Sequence, residues 1–148
     1  MNVLQRLVQL RRFRVVREIL MLYGVDIPAS VKIGSDLQLI HRGAGCVFHP
    51  KTRIGNRVQI YHQVTIGRAD AHVPEQLSAM DWIEIGDDVV LFPGAKVLGG
   101  RGVTRIGNGT IIAANAVVIT STGENEIWGG VPARRIGLRD KTTLPGGG

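Results

Sequence analysis

The sequence has a single cysteine, Cys46, in 148 residues, so an internal disulfide is excluded and a thiolate metal site has no second ligand. Aromatic residues are scarce, at 5% of the chain. No stretch approaches the roughly 18 consecutive apolar residues that a membrane-spanning helix needs, and no N-terminal apolar run resembles a signal peptide. These absences predict a cytoplasmic protein, and a length of 148 residues suits one compact domain.

Apolar residues recur at every sixth position in four successive runs. The positions are Ile27, Ile33, Leu39, then Phe48, Ile54, Ile60, Ile66, then Ile85, Leu91, Val97, and finally Ile106, Ile112, Val118. A period of six fits neither a helix nor a lone alternating strand, but it fits a short strand and a turn that repeat and stack. The pattern therefore predicts a solenoid of short strands rather than a β-sandwich.

Three interruptions of this period mark places where the chain leaves the solenoid. Leu39 and Phe48 are nine residues apart, as are Val97 and Ile106, whereas Ile66 and Ile85 are nineteen apart. If three hexads make one coil, Ile66 and Val97 lie on the same side, and the two later loops leave from one corner. Loops on a rigid scaffold commonly carry function.

The first 24 residues predict a basic amphipathic helix that ends near Gly24. They contain five arginines and one glutamate, a net charge of +4 within a chain whose formal charge is +6. We favour a helix that caps the first coil and packs at a subunit interface. Peripheral contact with an anionic membrane is a second interpretation, whereas nucleic-acid binding lacks a motif and interleaved aromatic residues. We expect a repeat domain over residues 25–137 and a disordered tail over 138–148.

Three segments resemble one family in the same order along the chain. They are VDIPASVKIG at 25–34, running on to His41, then QIYHQVTIG at 59–67 and GGVPAR at 129–134. The chain resembles the hexapeptide-repeat acyltransferases, specifically serine acetyltransferases and the short polysaccharide O-acetyltransferases similar to them. The resemblance implies an all-β fold, a left-handed parallel β-helix with a short N-terminal helix, that assembles as a homotrimer and uses acetyl-CoA as donor.

The same resemblance implies a catalytic pair. In that family a histidine on the first interrupted turn is the general base and an earlier aspartate orients it, and the aligned residues here are His41 and Asp26. An alcohol is a weak nucleophile until its proton is removed, and an imidazole held by a carboxylate suits that task. Fifteen residues separate the pair, slightly less than one coil, so we expect the carboxylate to lie against the ring.

The other histidines have lesser expected roles. His62 and His72 are candidate substrate-binding residues, the first in a cleft between subunits and the second in the longest interruption. His49 is expected to face outward. The spacings of His41, His49 and His62 do not resemble those of the carbonic anhydrases built on this fold, so we expect no metal.

Cofactor residues follow from the family as well. Acetyl-CoA is expected to lie along a groove between subunits, with its thiol end near His41 and its nucleotide toward the last coils. The guanidinium groups of Arg134 and Arg135 suit phosphate oxygens. Small residues that allow close backbone approach to the pantetheine arm are Gly94, Ala95, Ala113 and Ala114.

The acceptor is predicted from departures from the family pattern. Serine acetyltransferases carry an acidic residue before the histidine, and here that residue is Ile40. We therefore expect O-acetylation of a sugar or polysaccharide precursor, with serine O-acetylation or sugar N-acylation as alternatives and an acyl carrier protein as another possible donor. A noncatalytic β-helical scaffold would explain the repeats but not the joint presence of Asp26, His41 and the Pro-Ala-Arg ending.

Overall fold

Each predicted hexad forms a short strand followed by a turn. The computed structural model describes residues 3–143, in which fourteen strands follow two N-terminal helices. In chain order the strands are β1 (Lys32–Ile33), β2 (Gln38–Leu39), β3 (Val47–Phe48), β4 (Thr52–Ile54), β5 (Gln59–Ile60), β6 (Thr65–Arg68), β7 (Met80–Ile85), β8 (Val90–Leu91), β9 (Lys96–Gly99), β10 (Gly102–Ile106), β11 (Ile111–Ile112), β12 (Val117–Val118), β13 (Glu126–Gly130) and β14 (Ala133–Leu138). Three 3₁₀ helices occupy Ile40–Gly43, Glu75–Leu77 and Lys141–Thr143.

The strands stack into three parallel sheets, which form the three faces of a β-helix. The first face contains β3, β6, β9 and β12; the second contains β1, β4, β7 and β10; the third contains β2, β5, β8, β11 and β13. All these pairs are parallel, and the antiparallel β14 extends the third face beyond β13. The prediction of an all-β, parallel β-helix is therefore confirmed.

The register explains why every sixth residue is apolar. Equivalent hexad positions pair directly between coils, for example Ile54 with Ile85 and Ile85 with Ile106 on the second face. Ile66 pairs with Val97 on the first face. These side chains stack inside the coil and are almost wholly buried, so one apolar column on each face contributes to a continuous core.

The two later interruptions leave from one corner, as the period predicts. Both follow first-face strands, after β6 and after β9, and lead into the second face. The Ala69 N–H donates to the Gly99 carbonyl at 2.8 Å, and the Gly102 N–H donates to the Ala79 carbonyl at 2.8 Å. The longer loop, residues 69–79, is thus fastened to the shorter one at both of its ends.

The N-terminal segment forms two helices, so the expectation of one helix over residues 1–24 is wrong. They are α1 (Val3–Gln9) and α2 (Arg14–Leu22). One straight helix of 24 residues would extend about 36 Å, whereas a six-residue side of the coil spans about 20 Å. The break lets Leu4 and Leu20, one on each helix, reach the core. The Arg11 guanidinium holds the break between the helices in place by donating to the Val8 and Val31 carbonyls. Across residues 3–143 no helix is long and apolar enough to cross a membrane.

The beginning of the predicted disordered tail is ordered. The strand β14 continues to Leu138, and the Arg139 guanidinium donates to the Asp88 and Gly109 carbonyls at 2.8 and 3.2 Å. These bonds reach two preceding coils, which is why the chain stays on the β-helix here. Residues 144–148 of the expected tail lie outside the described residues.

A buried hydroxyl inside the coil leads to a stability prediction. Thr52 is fully buried, and its Oγ1 has no hydrogen-bond partner within residues 3–143. Thr52→Val should raise the free energy of unfolding by about 1 to 2 kcal/mol, because an unpaired buried hydroxyl is replaced by a methyl group of similar size. Urea denaturation at one fixed protein concentration measures the change.

Thr110→Val is the matched control. The Thr110 hydroxyl is equally buried, but it donates to the Gly123 carbonyl at 2.8 Å and accepts from the Glu126 N–H at 3.3 Å. This variant should be destabilised. A similar loss in Thr52→Val would show that the Thr52 hydroxyl has a partner after all.

Candidate active site

The turns that join the third face to the first form a stacked corner, here called the His41 corner. It comprises residues 40–46, 61–64, 92–95 and 113–116. Backbone bonds connect the turns: Gln63 N–H donates to the Ala44 carbonyl at 2.7 Å, and Gly94 N–H donates to the His62 carbonyl at 3.1 Å. Asn115 N–H donates to the Pro93 carbonyl at 2.9 Å. Side chains of successive coils therefore form one column along this corner.

His41 projects from the first and longest of these turns. Its backbone is left-handed, with φ 52° and ψ 36°, and Arg42 beside it has φ 61°. Two consecutive non-glycine residues in this region cost roughly 1 to 3 kcal/mol each, and such strain clusters at functional sites. The side chain is exposed. The turn thus holds an imidazole in solvent at the top of the corner.

Aromatic contacts connect His41 to the coils below it. Its ring centroid lies 5.3 Å from that of His62, with the planes at 78°, and 6.3 Å from that of Tyr61. Tyr61 stacks on Phe92 of the next coil at 5.1 Å. Tyr61 and Phe92 were missed in the sequence analysis, although each directly follows the apolar residue of a third-face hexad.

His62 is the second histidine that the structure places at this site. Its Nδ1 atom is buried and has no hydrogen-bond partner among the described residues. An unpaired N–H is rarer in proteins than an unpaired acceptor, so the favoured neutral tautomer carries its proton on Nε2. His62 therefore supplies a ring packed edge-on against His41.

Asp26 lies beside the His41 turn but does not hold the ring. Its N–H donates to the Cys46 carbonyl at 2.8 Å, and its carbonyl accepts from Phe48 at 2.9 Å, so it aligns with Val47 on the first face. Within residues 3–143 no hydrogen bond or ion pair joins its carboxylate to His41. A spacing of fifteen is short of a full coil, and this leaves Asp26 on a face while His41 stands at a turn. Its orienting role remains a prediction.

Cys46 closes the same turn and is chemically inert. Burial raises the pKa of its thiol to about 11, and Sγ donates to the Tyr61 carbonyl at 3.1 Å. Because the thiolate is the reactive form, a protonated thiol at neutral pH does not compete with a hydroxyl as the acyl acceptor.

The four predicted pantetheine contacts all lie in the His41 corner, but they differ in availability. Ala95 is fully buried, its N–H donates to the Phe92 carbonyl, and its carbonyl accepts from Thr65, so it is not free to contact a ligand. Gly94 is also buried, and Ala113 donates to the Trp128 carbonyl at 2.8 Å. Ala114 is exposed, and within residues 3–143 its backbone groups have no hydrogen-bond partner.

The two predicted phosphate ligands lie on opposite sides of one strand. Successive residues of a strand point to opposite faces. Arg135 pairs with Trp128 in the β13–β14 register, and its guanidinium lies 3.6 Å from the Glu126 carboxylate. The Trp128 indole N–H, and to a lesser extent Arg135, lower the pKa of Glu126. This ion pair engages the Arg135 guanidinium, although its side chain is 59% exposed.

Arg134 lies at the lower end of the His41 corner. It pairs with Gly129, and a Cβ placed on Gly129 would lie 3.5 Å from the Ala113 Cβ. Its guanidinium is exposed and donates only to the neighbouring Ala133 carbonyl among the described residues. Five strand spacings of about 4.8 Å, from β2 to β14, separate His41 from Arg134, a distance of about 24 Å along the β-helix. The corner thus has a histidine at one end and an arginine at the other.

His72 and His49 lie at a different corner. The loop that carries His72 leaves between the first and second faces, so within one chain it does not join His41. His49 is half-buried, and its Nδ1 accepts from the Lys51 N–H at 3.1 Å. Burial lowers its pKa, against a smaller opposing effect of Glu75. The side chain keeps part of its surface in solvent, and the expectation that it faces outward stays a prediction. Residues 3–143 contain no group of three or more potential metal ligands.

Comparison with known proteins identifies relatives of the repeat region. The chain is 34% identical over 126 residues to serine acetyltransferase of Mycobacterium tuberculosis, a match that covers 85% of this chain and 50% of that protein. The chain thus spans about half the length of this relative. No family model matches the chain.

Solved structures show the same relationship. The Brucella abortus serine acetyltransferase in complex with coenzyme A has a TM-score of 0.73 and 29% identity, covering 86% of this chain and 48% of that one. The Neisseria gonorrhoeae serine acetyltransferase in complex with serine has a TM-score of 0.69 and 28% identity, covering 90% and 52%. With the matching repeat motifs and sheet register, these similarities show that the chain belongs to the hexapeptide-repeat acyltransferase family and has its left-handed parallel β-helix.

Proposed function

We propose that this protein is an acetyl-CoA-dependent O-acetyltransferase with His41 as its general base. The observation that carries the proposal is the exposed His41 ring, held on a strained turn at one end of a corner whose other end presents Arg134. Relatives solved with coenzyme A and with serine support the same chemistry. The reaction would proceed at the upper end of the corner.

In the proposed mechanism His41 removes the proton from an acceptor hydroxyl as its oxygen attacks the thioester carbon. The acetyl donor supplies an activated carbonyl with a thiolate leaving group. As the new ester forms and the carbon–sulfur bond breaks, the proton on the imidazolium passes to the departing sulfur. Each turnover thus returns His41 to its neutral form.

Serine is the acceptor that we propose. The departure at Ile40 led to the expectation of a sugar hydroxyl, but the relatives named above are serine acetyltransferases, which favours the serine alternative. A sugar hydroxyl, an amino-sugar nitrogen or an acyl carrier donor has no comparable support. A noncatalytic scaffold would leave the strained, exposed histidine without a role.

An acceptor panel tests this function. Purified protein is incubated with acetyl-CoA and, in separate reactions, L-serine, D-serine, a hexose and an amino sugar, and products are identified by mass. We expect O-acetylserine from L-serine together with one equivalent of free coenzyme A. Acetylation of the hexose alone would restore the sugar assignment, and failure to bind acetyl-CoA would contradict the enzyme class.

We also propose a homotrimer whose grooves lie between neighbouring β-helices. A lone coil has flat faces that suit self-association, and the family resemblance implies three copies. In such an assembly the loop carrying His72 belongs to a different corner from His41, so the two could meet only across a boundary between copies.

His62 is a positioning residue in this proposal. Within residues 3–143 the His41 imidazole packs against the rings of Tyr61 and His62. His62→Ala should lower kcat about fivefold, because the lost ring contact is worth about 1 kcal/mol, while KM for acetyl-CoA stays nearly unchanged. His62→Phe keeps a ring there and should recover most of the rate.

Steady-state kinetics and the NMR shift of the His41 ring protons together check this prediction. The ring shift should move in His62→Ala and stay close to the native value in His62→Phe. If His62→Phe were as slow as His62→Ala, a ring nitrogen rather than packing would carry the effect, and the positioning role would be wrong.

Arg134 is the residue that we expect to bind the nucleotide phosphates. Arg134→Ala should weaken acetyl-CoA binding by about 1 to 3 kcal/mol, because charge-assisted hydrogen bonds to phosphate are lost. Arg135→Ala should cost less, since this guanidinium is paired with Glu126 on the other side of the strand. Calorimetric titration measures the affinity of each variant for acetyl-CoA and for dephospho-CoA. Equal losses for both variants and both ligands would indicate a folding defect instead.

A further inference from the structure

Exposed apolar side chains are concentrated on the two N-terminal helices. Residues 3–23 carry seven of the thirteen large apolar side chains that are exposed in the described chain. The seven are Val3, Leu10, Phe13, Val15, Met21, Leu22 and Tyr23. Leu22 and Val15 are 87% and 71% exposed, which is far more than a helix needs merely to cap a coil.

The same surface carries positive charge that the protein does not neutralise. Four arginines, at positions 6, 12, 14 and 17, make no ion pair within residues 3–143. The ion pairs of this part of the chain all lie on the repeats. Arg11 is the exception among the basic residues here, because backbone carbonyls hold it. The Arg12 guanidinium lies 4.8 Å from the centre of the Phe13 ring, so charge and apolar area are interleaved.

The outward side of α2 shows the mixture most clearly. Leu20 is buried in the core and Val16 packs against it, whereas Val15 and Leu22, seven residues apart, project from the opposite side. Arg14 is exposed beside them. An apolar strip bordered by guanidinium groups is the pattern of helices that lie in a lipid headgroup layer.

We infer that residues 3–23 form a binding surface for an anionic lipid bilayer. The apolar side chains would enter the boundary between headgroups and acyl chains, and the arginines would bind lipid phosphates. A second copy of this chain fits less well, because two surfaces with a net charge of +4 would repel each other. Nucleic acid would leave the apolar side chains in water. This surface is separate from the His41 corner, and the inference holds whatever the acceptor is.

Cosedimentation with lipid vesicles tests the inference on the full chain. The vesicles are phosphatidylcholine alone and an equimolar mixture with phosphatidylglycerol. We expect binding to the mixed vesicles only, and weaker binding as salt is raised, since salt screens exposed charges. Arg12→Gln with Arg14→Gln should lower partitioning about 25-fold, about fivefold per charge. Leu22→Ser should lower it about tenfold, because its apolar area stays in water.

Two matched variants serve as controls. Arg101→Gln removes an exposed arginine, and Leu138→Ser removes a side chain that is 67% exposed, both remote from the N-terminal helices. Neither should change vesicle binding. Equal binding to both kinds of vesicle, or equal losses in the controls, would overturn the inference. Absence of vesicle binding would also overturn it. If Leu22→Ser then split an assembly seen by sedimentation velocity, the surface would be assigned to a second copy of the chain.

Discussion

Replacing His41 with alanine is expected to lower kcat by about two to four orders of magnitude while acetyl-CoA affinity stays within about twofold. The variant loses the group that accepts the hydroxyl proton, whereas the proposed nucleotide contact at Arg134 is about 24 Å away. Turnover with the acceptor identified in the panel, together with calorimetric binding of acetyl-CoA, measures the two quantities separately.

His72→Ala is the control for this prediction. It also removes an exposed histidine, but from a loop at another corner of the chain, and the expected loss is much smaller. Equal losses in the two variants would indicate that the loop of a neighbouring copy completes the site. Near-native turnover in His41→Ala would mean that the base is another residue.

Asp26→Asn tests whether Asp26 orients the His41 ring. Because its carboxylate makes no hydrogen bond to His41 in the described chain, its removal should cost less than the loss of His41. The double variant should be little worse than His41→Ala if the two residues act as a unit when substrates are bound.

The repeat region could be predicted from sequence because each coil repeats the same local requirement. A residue such as Ile85 must be apolar since it pairs with Ile54 above and Ile106 below, so the period records the packing directly. The corner shared by the two later loops followed from the same count. The six-residue period and the size of the coil therefore determine both the apolar positions and the corner from which the loops leave.

The ends of the chain could not be predicted in this way, because tertiary contacts decide their structure. Nothing in the sequence around Leu10 is a helix breaker, yet the helix breaks there so that Leu4 and Leu20 both reach the core. Arg139 looks like one more basic tail residue, but its bonds to two coils hold the chain in place. Such contacts depend on where the β-helix ends.

Only part of the site could be predicted, because the rest also depends on tertiary contacts. The position of His41 follows from the first interruption and the family motif. Its packing against His62, 21 residues later, depends on the left-handed turn at His41 and Arg42, which no composition signal marks. The availability of Ala114 but not Ala95 likewise depends on which turn atoms face inward.

Gly107→Ala should lower the free energy of unfolding by about 3 kcal/mol, because the added methyl group has no room. Gly107 follows Ile106 at the corner between the second and third faces, where a Cβ would overlap the Gly123 carbonyl group and approach the Glu124 backbone nitrogen to 2.8 Å. These are backbone atoms of the next turn, so relief requires the coils to separate.

Gly67→Ala is the control, and sequence alone does not distinguish it. Gly67 also follows an isoleucine of the hexad series, but it lies on the first face in β6. There a Cβ would meet only side-chain atoms, Thr65 Cγ2 at 3.7 Å and Leu98 Cδ2 at 3.8 Å. Both are ordinary contacts, so this variant should change the unfolding free energy by less than about 0.5 kcal/mol. Urea denaturation of the two variants compares them, and equal losses would show that the isoleucine–glycine step itself, rather than crowding at one corner, requires glycine.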